Sequence, residues 1–249
     1  MSWNYFMGLV AAIALFLPIT LIFTLRLAAY RTFPALLVYY IALVTNNLFA
    51  QGCFKASPEV INIMGVTNNL LDAPLMLYFL TYFSTSTLFT KSLRIYILAY
   101  MVFEATVIGM RGFNVDAVVI VMAPGLFSVL VVSLFFFIRQ TKITILYRKA
   151  AGKALMISSL LFAYGCYSII YLMFYIFVTP NKSETFTIYF LVTTFAAILM
   201  TIGIIIERKR VTKLNELIVT RKELSVVYKE ESKPAIPMQA IVIENERFN

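Results

Sequence analysis

A chain of 249 residues that is 61% hydrophobic and only 13% charged, with a mean hydropathy of +0.86, lies far outside the composition of soluble globular proteins and reads as an integral membrane protein. Histidine is absent, which excludes Ser-His-Asp triads, histidine-ligated zinc and bis-histidine haem; the two cysteines, Cys53 and Cys166, are too few for a disulfide framework or a metal cluster. The net charge of +9 lacks the basic-aromatic interleaving of a single-strand platform, so membrane lipid headgroups rather than nucleic acid are its expected partners.

A helix crossing about 30 Å of hydrocarbon takes roughly 20 apolar residues, and the gaps between charges supply seven such runs. They are too long and too uniformly apolar for the alternating strands of a barrel, so the predicted fold is all-α and polytopic. The first span, 3–25, has no basic leader, ends at Arg26 and reads as a retained helix rather than a cleaved signal. The second covers 33–53. The third, 61–83, carries Asp72 and Pro74, and the fourth, 94–110, carries Glu104. The fifth, 116–138, contains Pro124 and Gly125; the sixth and seventh are 154–178 and 185–206. Beyond them, 207–232 reads as an amphipathic helix with Val211, Leu214, Leu217, Ile218 and Leu224 on one side, suited to a cytoplasmic protein partner. Pro234 and Pro237 end that pattern, and 233–249 is expected to be a flexible tail.

Orientation follows from the short loops. Arg26, Arg31, Lys91, Arg94, Arg139, Lys142, Arg148, Lys149 and Lys153 fall on one side, against Lys55, Arg111 and Lys182 on the other. This predicts an external amino terminus, a cytoplasmic carboxyl terminus and a multi-pass location in a cell's inner membrane.

An ionisable group in hydrocarbon costs roughly 2.5–3.5 kcal/mol on insertion scales, so Asp72 and Glu104 each call for a reason. In the run Val66-Thr67-Asn68-Asn69-Leu70, followed by Leu71 and Asp72, a turn of about 100° per residue places Asn68, Asn69 and Asp72 on one face. The same pentapeptide occurs one span earlier as Val44-Thr45-Asn46-Asn47-Leu48, running the opposite way, which sets both Asn pairs about 10 Å below the outer surface. Glu104, with Tyr96 and Tyr100 on its face, belongs to the same outer half, and Tyr171, Tyr175, Tyr189, Thr193 and Thr194 lie at similar depth. The predicted site is an outward-opening pocket in which Asp72, Asn68 and Asn69 hold a polar group and Asn46, Asn47, Glu104, Tyr100 and Tyr171 complete the wall. No Lys or Arg lies inside the spans, so a carboxylate held there as an ion needs amide donors, a bound cation or a cationic ligand. The alternative is that each polar group is satisfied separately, as glue between helices.

An outside-in chain of seven helices with short loops and an acid near a proline in the third resembles the microbial rhodopsins. The lysine that carries retinal in the seventh helix of that family is missing from 185–206, which excludes a covalent retinal pigment and leaves the cofactor open. The layout is also similar to the membrane half of bacterial seven-helix sensors, whose last helix continues into the cytoplasm as Ile206 continues here into Glu207-Arg208-Lys209-Arg210. That resemblance implies a signal passed to a separate protein. The expected function is therefore ligand binding or sensing with relay to a cytoplasmic partner. A small secondary transporter or proton-coupled carrier and a structural subunit of a membrane complex are the alternatives, and an enzyme, limited to carboxylates and hydroxyls, is the less favoured reading.

Overall fold

The computed structural model describes residues 3–147, 150–177 and 182–227. The expected tail at 233–249, residues 228–232 of the expected amphipathic helix, and Arg148 and Lys149 lie outside the described residues. Within them the architecture is helical throughout: α1 (Trp3–Thr24), α2 (Phe33–Ala50), α3 (Pro58–Leu80), α4 (Thr87–Arg111), α5 (Val115–Tyr147), α6 (Ala151–Tyr171) and α7 (Lys182–Val227). A 3₁₀ turn, Thr81–Phe83, prolongs α3, and a π turn, Leu172–Ile176, prolongs α6. All seven helices are long and apolar enough to cross a membrane.

Helix ends here are set by caps, whereas the expected spans were bounded by charges. Ser57 accepts a hydrogen bond from the Val60 amide and Pro58 occupies the first helical position, so α3 begins before residue 61. Ser86 does the same for Phe89, starting α4 at Thr87 and enclosing Lys91 and Arg94 within its first turns. At the other end of α4, Gly112 takes a φ of +81° and donates its N–H to the Ile108 carbonyl at 2.8 Å, a conformation costly for residues with a Cβ. Asn114 then accepts from the Ala117 amide at 3.0 Å and launches α5. Nothing caps α7 at Ile206: its 46 residues form one helix about 68 Å long, far more than a bilayer core requires.

The helices pack as a closed ring in the order α1, α2, α3, α5, α6, α7, with α4 outside it against α3 and α5. The buried residues of α4 are therefore a single strip, Leu93, Ile97, Tyr100 and Glu104, while Leu98, Met101 and Val102 face outward. Phe127, Phe195, Ile202 and Leu134 are likewise exposed on other helices, and such a continuous apolar exterior suits acyl chains rather than water.

The two ends of the ring are built differently. At the end where α7 leaves, Phe33, Phe79, Tyr82, Phe83 and Phe136 interlock, edge to face with ring centroids 5.3–5.8 Å apart for the pairs Phe33–Tyr82, Phe33–Phe79 and Phe79–Phe83, and tilted at 6.1 Å for Phe83–Phe136. Thr32 donates a hydrogen bond to the Phe79 carbonyl and Arg139 one to Thr85, tying the starts and ends of neighbouring helices together. At the end where α1 begins, the ring stays open.

Close approach of α6 and α7 depends on two glycines. A Cβ placed on Gly152 would lie 2.5 Å from the Glu207 backbone nitrogen, and one on Gly203 would lie 2.9 Å from the Met156 backbone nitrogen. Backbone atoms cannot swing aside as a side-chain tip can, so Gly152→Ala is expected to lower stability by about 1–3 kcal/mol, read as a lower melting temperature of the detergent-solubilised protein. Gly109→Ala in α4, where an added methyl meets nothing within 4 Å, is expected to leave the melting temperature unchanged or slightly raised.

Candidate ligand-binding site

The open end of the ring encloses a cavity of about 330 Å³, within the size range of small-molecule sites. The last turns of α2 supply Asn46, Asn47 and Ala50, and the middle of α3 supplies Asn68, Asn69 and Asp72. All four carboxamides of the repeated pentapeptide thus lie on one wall with the aspartate beneath them. Two antiparallel helices joined by a short turn put equal sequence distances from that turn at equal depth, which is why the two copies meet. Asp72 is half-buried, and its Oδ1 accepts a hydrogen bond from the Tyr164 hydroxyl at 2.7 Å. Asn47 is buried, and its Oδ1 has no hydrogen-bond partner.

The facing wall is aromatic. Along α6, Tyr164, Tyr167, Tyr171 and Tyr175 recur at steps of three and four and form one stripe. The stripe ends in the π turn, where the extra residue per turn presents both Phe174 and Tyr175 to the cavity. The first turns of α7 add Thr185, Phe186, Tyr189 and Phe190. Tyr167 and Tyr189 approach to 5.5 Å between centroids, and Phe174 and Phe186 to 5.9 Å. The Tyr167 hydroxyl shares a hydrogen bond with Thr193 at 2.9 Å, so that ring is fixed by its tip while its face stays on the cavity. Asn4 and Thr187 hydrogen-bond across α1 and α7 at the rim.

Six of the eight residues expected at the site, Asp72, Asn68, Asn69, Asn46, Asn47 and Tyr171, line this cavity; Glu104 and Tyr100 do not. The reason is the place of α4. Where α3 passes α5, a Cβ on Gly125 would stand 3.0 Å from that of Ala73, so the two helices close a wall between Asp72 and α4. Tyr100 lies behind that wall and donates its hydroxyl to the Val121 carbonyl at 2.9 Å, beside Glu104, whose Oε1 is buried without a partner. Tyr171 makes the mirror-image contact from the other flank of α5, donating to the Val119 carbonyl at 2.9 Å. Both tyrosines bind carbonyls on either side of position 120, the one whose helical donor Pro124 removes. Tyr171 therefore offers the cavity its ring, with its hydroxyl already engaged. Of the other residues expected at this depth, Tyr175 and Tyr189 are on the wall and Thr193 and Thr194 are not; Thr194 donates to the Phe190 carbonyl of its own helix.

Sequence reasoning missed Tyr164, the partner of Asp72, although the tyrosine stripe of α6 contains it. It also missed a second polar centre at the closed end. Glu207 is buried there, accepting from the Tyr82 hydroxyl at 2.8 Å and, at its two oxygens, from Arg210 Nη2 at 2.6 Å and Nε at 3.0 Å. Lys153 stands 5.3 Å above the Tyr82 ring. A glutamate at the head of a basic run gives no sequence sign that it turns inward.

Among the described residues no group of three or more Cys, Asp or Glu side chains could hold a metal ion. The chain matches no protein-family model, and neither a curated protein nor a solved structure is significantly similar to it.

Tyr164→Phe keeps the ring and removes the hydroxyl from Asp72, and is expected to lower unfolding stability by about 1 kcal/mol. A double-mutant cycle of Tyr82→Phe with Glu207→Ala is expected to show a coupling of about 1 kcal/mol in thermal unfolding, against zero for independent residues.

Proposed function

We propose that the protein is a multi-pass inner-membrane receptor that takes a small ligand from outside the cytoplasm into the cavity and signals to a cytoplasmic protein through the extension of α7. The observation that carries this reading is the gathering of Asp72 and the four Asn carboxamides on one wall of a cavity opposite an aromatic wall. Polar side chains that served only to glue helices would be dispersed in matched pairs, whereas here Asp72 and four Asn side chains line one cavity.

The two ends of the ring support a receptor over a carrier. A carrier has to open the site to both sides in turn, yet below Asp72 the core is filled by Met76, Leu77, Phe79, Phe83 and Met156, all fully buried. The basic residues around the closed end, among them Arg31, Arg139 and Lys153, favour a cytoplasmic orientation of that end by the positive-inside rule. From there α7 runs on through Arg208 to Val227 with the consecutive residues Leu217, Ile218 and Val219 exposed, apolar side chains that a partner could cover.

Substituted-cysteine labelling of intact cells tests orientation and access together. In a chain carrying Cys53→Ser and Cys166→Ser, Asn46→Cys and Asn68→Cys are expected to react with a small membrane-impermeant thiol reagent added outside, and Thr220→Cys only after permeabilisation. Inert cysteines at 46 and 68, or external labelling at 220, would remove the reading.

A further inference from the structure

Building on the receptor reading, we infer that the cavity selects a protonated amine attached to a compact apolar group, an aryl- or alkylammonium ion. Three independent features of the wall point the same way. Among the described residues its formal charge is carried by the carboxyl group of Asp72, and none of the described lining residues is Lys or Arg, so an anionic ligand would meet repulsion there. Asn47, which lines the cavity, has a buried Oδ1 without a hydrogen-bond partner, an acceptor that a turn of the carboxamide would bring to a ligand N–H. The remainder of the wall is largely the faces of Tyr39, Tyr167, Tyr171, Phe174, Tyr175 and Tyr189, and aromatic faces attract organic cations while also accepting an apolar chain.

The same features exclude other occupants. A bare metal ion is surrounded by oxygen ligands, and here the described wall offers one carboxylate among aromatic, aliphatic and carboxamide side chains. A neutral polyol would satisfy the carboxamides and leave the aspartate without a counter-ion. In the ammonium complex, Asp72 supplies the charge partner, held by Tyr164 so that it faces the ligand in a fixed position. Asn47 accepts a second N–H, and the tyrosine stripe of α6 with Tyr189 of α7 encloses the apolar part. Both walls are then touched by one molecule, which draws α7 towards α3.

The test uses four related phenyl probes on the full-length protein in nanodiscs at pH 7: 2-phenylethylamine, its bulkier N,N,N-trimethyl derivative, 2-phenylethanol and phenylacetate. Binding is read by calorimetry and by the shift in melting temperature. The primary amine is expected to bind about tenfold or more tighter than the alcohol, and phenylacetate to give no shift. The trimethyl derivative, which has no N–H for Asn47, is expected to fall between amine and alcohol. Asp72→Asn, which keeps an oxygen for Tyr164, is expected to weaken the amine about tenfold without affecting the alcohol, and Tyr189→Leu to weaken both cations severalfold. Should Asp72→Asn fail to fold, the charge series on the unsubstituted protein and Tyr189→Leu decide alone. Equal binding of alcohol and amine, or tighter binding of phenylacetate, overturns the ammonium assignment; if Leu126→Phe, which fills the cavity, abolishes that binding, the receptor reading stands without it. Absence of binding by all four probes overturns the assignment as well, and the receptor reading then rests on the labelling of positions 46 and 68.

Discussion

Polar groups enclosed between long apolar helices need partners within the protein, and among the described residues the buried side-chain atoms left without one are Asn47 Oδ1, Glu104 Oε1 and Ser133 Oγ. That requirement shapes α5 most visibly. Pro124 deprives the helix of one internal bond, and tyrosines from both sides, Tyr100 and Tyr171, donate to the carbonyls that flank the gap. The same two bonds clamp α4 and α6 onto α5 and fix the wall that Gly125 and Ala73 close. The break in one helix is thus what orients its neighbours, and the cavity inherits its shape from that arrangement.

The polar groups divide into two centres at opposite ends of the ring. At the open end, amides and Asp72 face space; at the closed end, Glu207 is saturated by Tyr82 and Arg210 and sits among interlocked aromatic rings. One is built to be completed by something else and the other is complete. Helices α6 and α7 contribute to both, through Tyr164 and Tyr189 at one end and through Gly152, Lys153 and Glu207 at the other. Their close contact along the small residues Gly152, Gly203 and Ala196 gives the two centres a common rigid support.

Much of this could be read from the sequence where one physical rule acted alone. Hydrocarbon thickness gave the number of helices, and the antiparallel repeat of Val-Thr-Asn-Asn-Leu gave the facing carboxamides, because depth follows directly from distance to the turn. Glu104 and Tyr100 do not line the cavity, and sequence depth carries no information about the order of helices around the ring that decides this. That order depends on where small residues let backbones meet, and Gly125 against Ala73 is a contact between distant parts of the chain. Helix ends were misplaced for a related reason: charges mark where lipid stops, whereas Ser57, Ser86 and Gly112 mark where helices begin or stop. Glu207 was unreadable because its burial comes from Tyr82 on another helix, far away along the chain.

The unbroken course of α7 past Glu207 has a mechanical consequence. Tyr189 lies about 27 Å to one side of that residue and Val227 about 30 Å to the other. A stiff rod gripped near its midpoint behaves as a lever with nearly equal arms. A tilt that carries Tyr189 inward by some distance swings the far tip outward by about as much, with neither gain nor attenuation, so the amplitude delivered at that tip is set by how far the other arm moves.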